Sequence, residues 1–143
     1  MAHLYESHMS LRVGGEMLIP DEVTRLLGAP PTTSRKKGDV QYHSKDGRET
    51  IAKIGLWMLS VEHRTPEDLD GQVAEILGKL TLDLDVWAQL ARRFEIDVFC
   101  GLFMRESNEG MTLSAKTMLA LGARGIELGL DIYDPTPLER RAR

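Results

Sequence analysis

Four groups of side chains in this sequence have the type and spacing to do chemistry. They are the histidines His3, His8, His43 and His63; the lone Cys100; a basic group of Arg35, Lys36, Lys37, Lys45 and Arg48; and a polar set of Ser10, Arg12, Asp131 and Tyr133. A zinc site needs His, Cys or carboxylate ligands at short fixed spacings, such as two histidines one helical turn apart. No pair among the four histidines meets that condition, so no metal is expected. His8, two residues from Ser10 and on a course to share a face with Arg12, invites an enzymatic reading. Without a surrounding motif, the plainer expectation is a set of exposed strand and loop histidines.

A cysteine nucleophile needs an electropositive, partly open setting. Cys100 instead stands among Val98, Leu102 and Met104, where a thiol behaves as a small core hydrophobe. Gly14-Gly15 follows an alternating segment but lacks the G-x-G-x-x-G spacing, and no GxxxxGK[ST] run occurs. No catalytic residue and no cofactor is therefore assigned. The basic group could hold an anion, a phosphate or an acidic partner. Equally it could be a solvated loop whose charge is offset by Asp39, Asp46 and Glu49. Ser10, Arg12, Asp131 and Tyr133 each fall on the parity opposite the apolar positions of their own segments. They could bind a small polar ligand, or Arg12 and Asp131 could form a cross-strand pair worth about 0.2–1 kcal/mol.

The elements that must position these groups follow from periodicity. The chain has 143 residues, 42% hydrophobic and 28% charged, enough for one domain with a real core. A formal net charge of −4 argues against nucleic acid or an anionic membrane as partner. No apolar run reaches the ~20 residues of a membrane span. Met1–Ser10 lacks the basic-then-apolar pattern of a secretory signal, and one cysteine permits no internal disulfide, so a cytoplasmic location is expected.

Alternation predicts a strand over Leu4–Val13, with Met9, Leu11 and Val13 inward. Pro20-Asp21-Glu22 opens a helix that Gly28 stops. Ala29–Gly38 reads as a loop, Val40–Ser44 as a strand and Lys45–Arg48 as an Asp-Gly hairpin turn. Thr50–Glu62 reads as one strand apolar on both sides, including Trp57, hence central or beneath a partner subunit. Thr65-Pro66 predicts a helix start, with Thr65 as cap, and Asp83 or Asp85 a second start. Glu95–Met104 is a strand, Ser114 begins a helix ending near Gly122 or Gly125, and Glu127–Tyr133 is the last strand. Residues 135–143 read as a solvated tail. The order β-α-β-β-α-α-β-α-β predicts a single α+β domain: a mainly antiparallel sheet with helices packed on one face, in a ferredoxin-like or split βαβ arrangement.

Ser10-Leu11-Arg12-Val13, Pro20-Asp21-Glu22-Val23-Thr24 with Leu27-Gly28 and Pro31, Lys37-Gly38-Asp39, Gly55-Leu56-Trp57-Met58-Leu59, Leu113-Ser114 and Leu130-Asp131-Ile132-Tyr133 follow one another in order. Together they resemble the bacterial family called domain of unknown function 4279, over about Leu4 to Tyr133. The resemblance implies a small bacterial α+β protein and brings no activity or catalytic residue. It directs attention to Arg12, Gly38, Asp39, Trp57, Asp131 and Tyr133. The function expected is a non-catalytic binding or protein-interaction module, immunity-like by analogy, with a protein partner or homodimer on the open sheet face. The alternative is a small-ligand sensor or enzyme with a polar site on that face.

Overall fold

A computed structural model describes residues 4–135. The expected tail from 136 onward, and His3, lie outside the described residues. The chain runs β1 (Glu6–Gly15), α1 (Pro20–Leu27), β2 (Thr33–Arg35), β3 (Val40–His43), β4 (Arg48–Ile51), β5 (Gly55–Arg64), α2 (Leu69–Gly78), α3 (Leu84–Arg93), β6 (Glu95–Phe103), α4 (Ala115–Ala123) and β7 (Glu127–Tyr133). Five strands form a sheet in the order β2-β5-β1-β6-β7, and β3 and β4 form a separate hairpin. Its β2–β5, β5–β1 and β1–β6 pairings are antiparallel, and only β6–β7 is parallel. Because β5 and β6 both run opposite to β1 between them, β5, α2, α3 and β6 make a split βαβ unit. The predicted α+β class and its split βαβ form are therefore present.

Alternation decides which face is covered. Met9, Leu11 and Val13 of β1, Trp57 and Leu59 of β5, and Ile96, Val98, Cys100 and Leu102 of β6 are buried under the helices. Val23 and Leu27 from α1, Leu69, Val73, Ile76 and Leu77 from α2, Trp87 and Leu90 from α3, and Leu121 from α4 complete that core. Both tryptophans are fully buried with their polar ends satisfied: Trp57 donates to Thr24 Oγ1 at 3.0 Å, Trp87 to the Thr81 carbonyl at 2.9 Å. Among the described residues, the other side of the sheet carries no helix.

Three predicted elements differ from what forms. The predicted loop Ala29–Gly38 contains β2, whose three residues need only their backbone to extend the edge of β5. The single strand predicted over Thr50–Glu62 is two. Its first part closes the β3–β4 hairpin, the chain breaks at 52–54, and Ala52 is tied to Gly38 and Asp39 by backbone bonds of 2.8 Å each. That split removes Ile51 and Ile54 from the strand, while Leu56 and Met58 remain apolar on the side of β5 opposite Trp57 and Leu59. β5 is an interior strand, paired with β1 on one side and β2 on the other, but β1 rather than β5 is the middle one. The helix predicted from Thr65 starts at Leu69 instead. The Glu67 and Asp68 amides are held by Leu4 O (3.0 Å) and Ser7 Oγ (3.1 Å), which ties this segment to β1. Asp68 then caps α2 by accepting from the Gly71 amide at 3.0 Å. The other starts and stops follow the sequence: Gly28 closes α1 with φ 88°, Asp83 caps α3 and Ser114 caps α4.

Candidate functional site

The helix-free face is organised in rows across the strands. One row runs Thr33–Met58–Arg12–Asp97–Glu127, and the next Ser60–Ser10–Phe99–Gly129. Beyond them come His8–Gly101–Asp131 and Glu6–Phe103–Tyr133. Arg12 grips its row neighbour Asp97 with two bonds, Nε to Oδ1 at 2.9 Å and Nη2 to Oδ2 at 2.6 Å. Its guanidinium lies 4.6 Å from the centre of the Phe99 ring. Both contacts fix a half-buried cation in the middle of the face; the Asp97 hydrogen bond raises its pKa further above the usual arginine value. Ser10 and Ser60 share a 2.7 Å hydroxyl bond beside it.

A bulge shapes the other half of the face. Ser7 pairs with Arg64 and Met9 with Val61, so Glu62 and His63 together stand opposite His8. The extra residue turns His63 out of core parity and onto the open side. There His63 stacks on His8 at 5.2 Å, His8 meets the edge of Phe103 at 5.1 Å, and Phe103 stacks on Tyr133 at 4.7 Å. Gly101 lies beneath this row; a Cβ there would touch Phe103, His8 and Tyr133. Glu6 anchors the end of the row, meeting His8 at 2.8 Å and receiving the Thr65 hydroxyl at 3.1 Å. The hydrogen bond from His8 holds the Glu6 carboxyl below its ordinary pKa, outweighing the effect of burial. Gln72 of α2 supports the bulge from the core side. Its amide donates to Ser7 O (3.1 Å) and Glu62 O (3.0 Å) and accepts from Ser7 Oγ (2.7 Å).

Ser10, Arg12, Asp131 and Tyr133 do share the helix-free face, but they form two groups. Arg12 and Ser10 belong to the central rows. Asp131 lies two strands away and four residues along, roughly 15 Å off by strand geometry, and accepts from Tyr133 Oη at 2.7 Å. The carboxylate that pairs with Arg12 is Asp97, which the sequence reading missed. Its signal was present: Asp97 sits on the parity opposite Ile96 and Val98, the same parity as Phe99. The basic group also divides. Arg35 lies on β2 beside a concavity of ≈ 280 Å³ whose lining includes Arg12, Gly14, Leu56, Glu95 and Asp97. Lys36 and Lys37 stand at the base of the β3–β4 hairpin, Lys37 near Glu16 at 3.5 Å. Lys45 sits at its tip, in a four-residue loop that includes Gly47 with φ 68°, and Arg48, the first residue of β4, faces Asp46 of that loop.

Cys100 is buried under the helices, and burial pushes its thiol up to about 12. Among the described residues no group of three or more His, Cys, Asp or Glu is arranged to hold a metal. No described helix is long and apolar enough to cross a membrane. A larger concavity, ≈ 430 Å³, lies on the opposite layer between α2 and α4, lined mainly by Val73, Ala74, Leu77, Leu82 and Ala120.

The family model for a domain of unknown function, DUF4279, matches residues 4–135. The chain belongs to the DUF4279 family. The match spans every strand and helix described above, so the open face and the bulge lie wholly within the DUF4279 domain. No curated protein and no solved structure matches the chain.

Proposed function

We propose that this DUF4279 domain is a non-catalytic binding module that engages a protein partner through the open face of its sheet. The observation that carries this reading is the make-up of the face. Its middle holds Arg12, Met58 and Phe99, flanked by Leu56, Phe103, Tyr133 and the two stacked histidines. No strand position on that side is a lysine, and the acids Glu6, Glu95, Glu127 and Asp131 stand toward its margins. Aromatic residues, Met and Arg at the centre with charge at the rim is the composition that distinguishes protein interfaces from ordinary surface. The Arg12–Asp97 pair and the Gln72-supported bulge hold the face in one conformation before binding, which lowers the ordering cost of association. Neutralising a toxin by covering it is one task such a rigid face suits.

Affinity capture from host extract tests the reading. A partner retained by the wild type is expected to be lost with Phe99→Asp and kept with Leu119→Asp on the exposed side of α4. Equal retention by both variants would refute it.

A second reading is favoured by one observation. Arg35 has no carboxylate within ion-pair distance among the described residues, and it borders the ≈ 280 Å³ concavity together with the Arg12–Asp97 pair, Glu95 and Glu127. A small zwitterion seated there, its anionic group on Arg35 and its cationic group toward Glu95 and Glu127, would give the sensor form of the same face. Thermal shift by amino-acid zwitterions that Arg35→Ala abolishes would support it over the protein-binding reading; no shift would remove it.

A further inference from the structure

The two edges of the sheet are treated differently. β2 is three residues long and reads Thr-Ser-Arg, a short polar edge of the kind that resists pairing. β7 is seven residues long, and among the described residues no strand lies beyond it. Its helix-side positions are apolar but poorly covered: Leu128 is 36% exposed, Leu130 47% and Ile132 57%. α4 packs against β7. At 100° per residue Met118, 55% exposed, falls on the flank of α4 away from the α2 groove that Lys116, Ala120 and Arg124 line. A long apolar edge beside an apolar helix flank is a surface made for strand addition.

We propose that this edge binds a second copy of the chain, β7 against β7 in antiparallel sense, with the two-fold axis passing through the sheet at Leu130. The sequence of the strand, Glu-Leu-Gly-Leu-Asp-Ile-Tyr, selects both the partner and the register. A two-fold perpendicular to the sheet keeps both helix layers on one side, so like parities must face each other. Centred on Leu130, the pairing sets Leu130 against its own copy and Leu128 against the partner's Ile132. On the open side it sets Gly129 against the partner's Asp131 and Glu127 against the partner's Tyr133. No like charges stand directly opposite one another. Moving the centre by one residue toward the N-terminus puts Glu127 opposite Asp131, and moving it the other way puts Asp131 opposite itself; both oppose like charges across a ladder. The half-exposed Met118, Leu128, Leu130, Ile132 and Tyr133 offer on the order of 500 Å² per protomer. The newly covered strand backbone brings the total toward the ~800 Å² per partner of a standard interface. The product is a ten-stranded sheet with two open faces side by side. This inference does not depend on what the open face binds.

Native mass spectrometry and light scattering on the full chain test it. A dimer is expected at about 10 μM. Leu130→Lys, which places two lysines on the axis, should weaken it by roughly 100-fold or more with the far-ultraviolet circular dichroism unchanged. Should Leu130→Lys fail to fold, Leu130→Cys serves instead. Facing Cβ atoms on the axis are close enough to join, so mild oxidation should yield a reducible covalent dimer, whereas Leu119→Cys should not. A wild-type monomer at about 100 μM, a dimer indifferent to Leu130→Lys, or cross-linking by Leu119→Cys but not Leu130→Cys would each overturn the proposal.

Discussion

Replacing Gln72 by leucine should cost about 3 kcal/mol of stability, because its buried amide bonds a carbonyl of the β5 bulge and another on the facing β1. Gln72 is fully buried on α2, and its three bonds reach Ser7 O, Glu62 O and Ser7 Oγ. Leucine preserves bulk and gains apolar transfer energy of about 1–2 kcal/mol, but it orphans two carbonyls at about 1–3 kcal/mol each and removes an acceptor from the Ser7 hydroxyl. That hydroxyl still accepts from the Asp68 amide, but its own hydrogen is left without the acceptor it has in the wild type. In urea unfolding with m near 2 kcal/mol/M, the midpoint should fall by about 1.5 M with m unchanged. Gln72→Glu supplies an internal check of sign. A carboxylate facing two carbonyls must be protonated to donate, so its native pKa rises above the unfolded ~4.3. The stability of that variant should then be highest below the unfolded pKa and decline relative to wild type as pH rises through the native one. A midpoint shift below about 0.5 M for Gln72→Leu would refute the claim that the side chain supports the bulge.

Three other outcomes follow from the same structure. Cys100, with its thiol raised to about 12 by burial, should resist iodoacetamide at pH 8 in the folded protein and react fully in denaturant; mass spectrometry of the adduct reads both. Gly55→Ala should lose about 1–3 kcal/mol, since its Cβ would meet Leu18 O at 2.9 Å and Gly15 O at 3.1 Å, both backbone; thermal unfolding measures it, and an unchanged midpoint would count against the packing at the start of β5. Burial raises the Asp70 carboxyl, but hydrogen bonds from Thr117 and Ser114 outweigh it and leave the pKa below the ordinary value. The stabilisation Asp70 gives is thus present above its unfolded pKa and lost as pH falls through the native one, so Asp70→Asn should narrow the gap in stability between pH 7 and pH 3.

Much of this fold could be read from residue patterns because single physical causes act locally. Pro20 with Gly28, Asp83 and Ser114 mark helix ends through capping alone, and the alternation of Met9, Leu11 and Val13 is a direct image of a half-buried strand. What escaped depends on contacts distant in sequence. β2 exists because β5 offers it an edge. Residues 65–68 stay out of α2 because Leu4 and Ser7, some sixty positions earlier, hold their amides. The bulge opposite His8 reverses the parity of His63, and no period-2 reading can anticipate an inserted residue. The site was half visible for the same reason: Ser10 and Arg12 were placed on the correct face, but choosing between Asp97 and Asp131 as partner requires knowing that β6, not β7, lies beside β1.

Site-specific photo-crosslinking tests the role of the open face most directly. A benzophenone side chain at Met58, in the row that holds Arg12, should capture one discrete partner protein in the host, and the same group at Met17 or Lys116, off that face, should not. Capture at Met17 and Lys116 with none at Met58 would contradict the account and move recognition to the helical side.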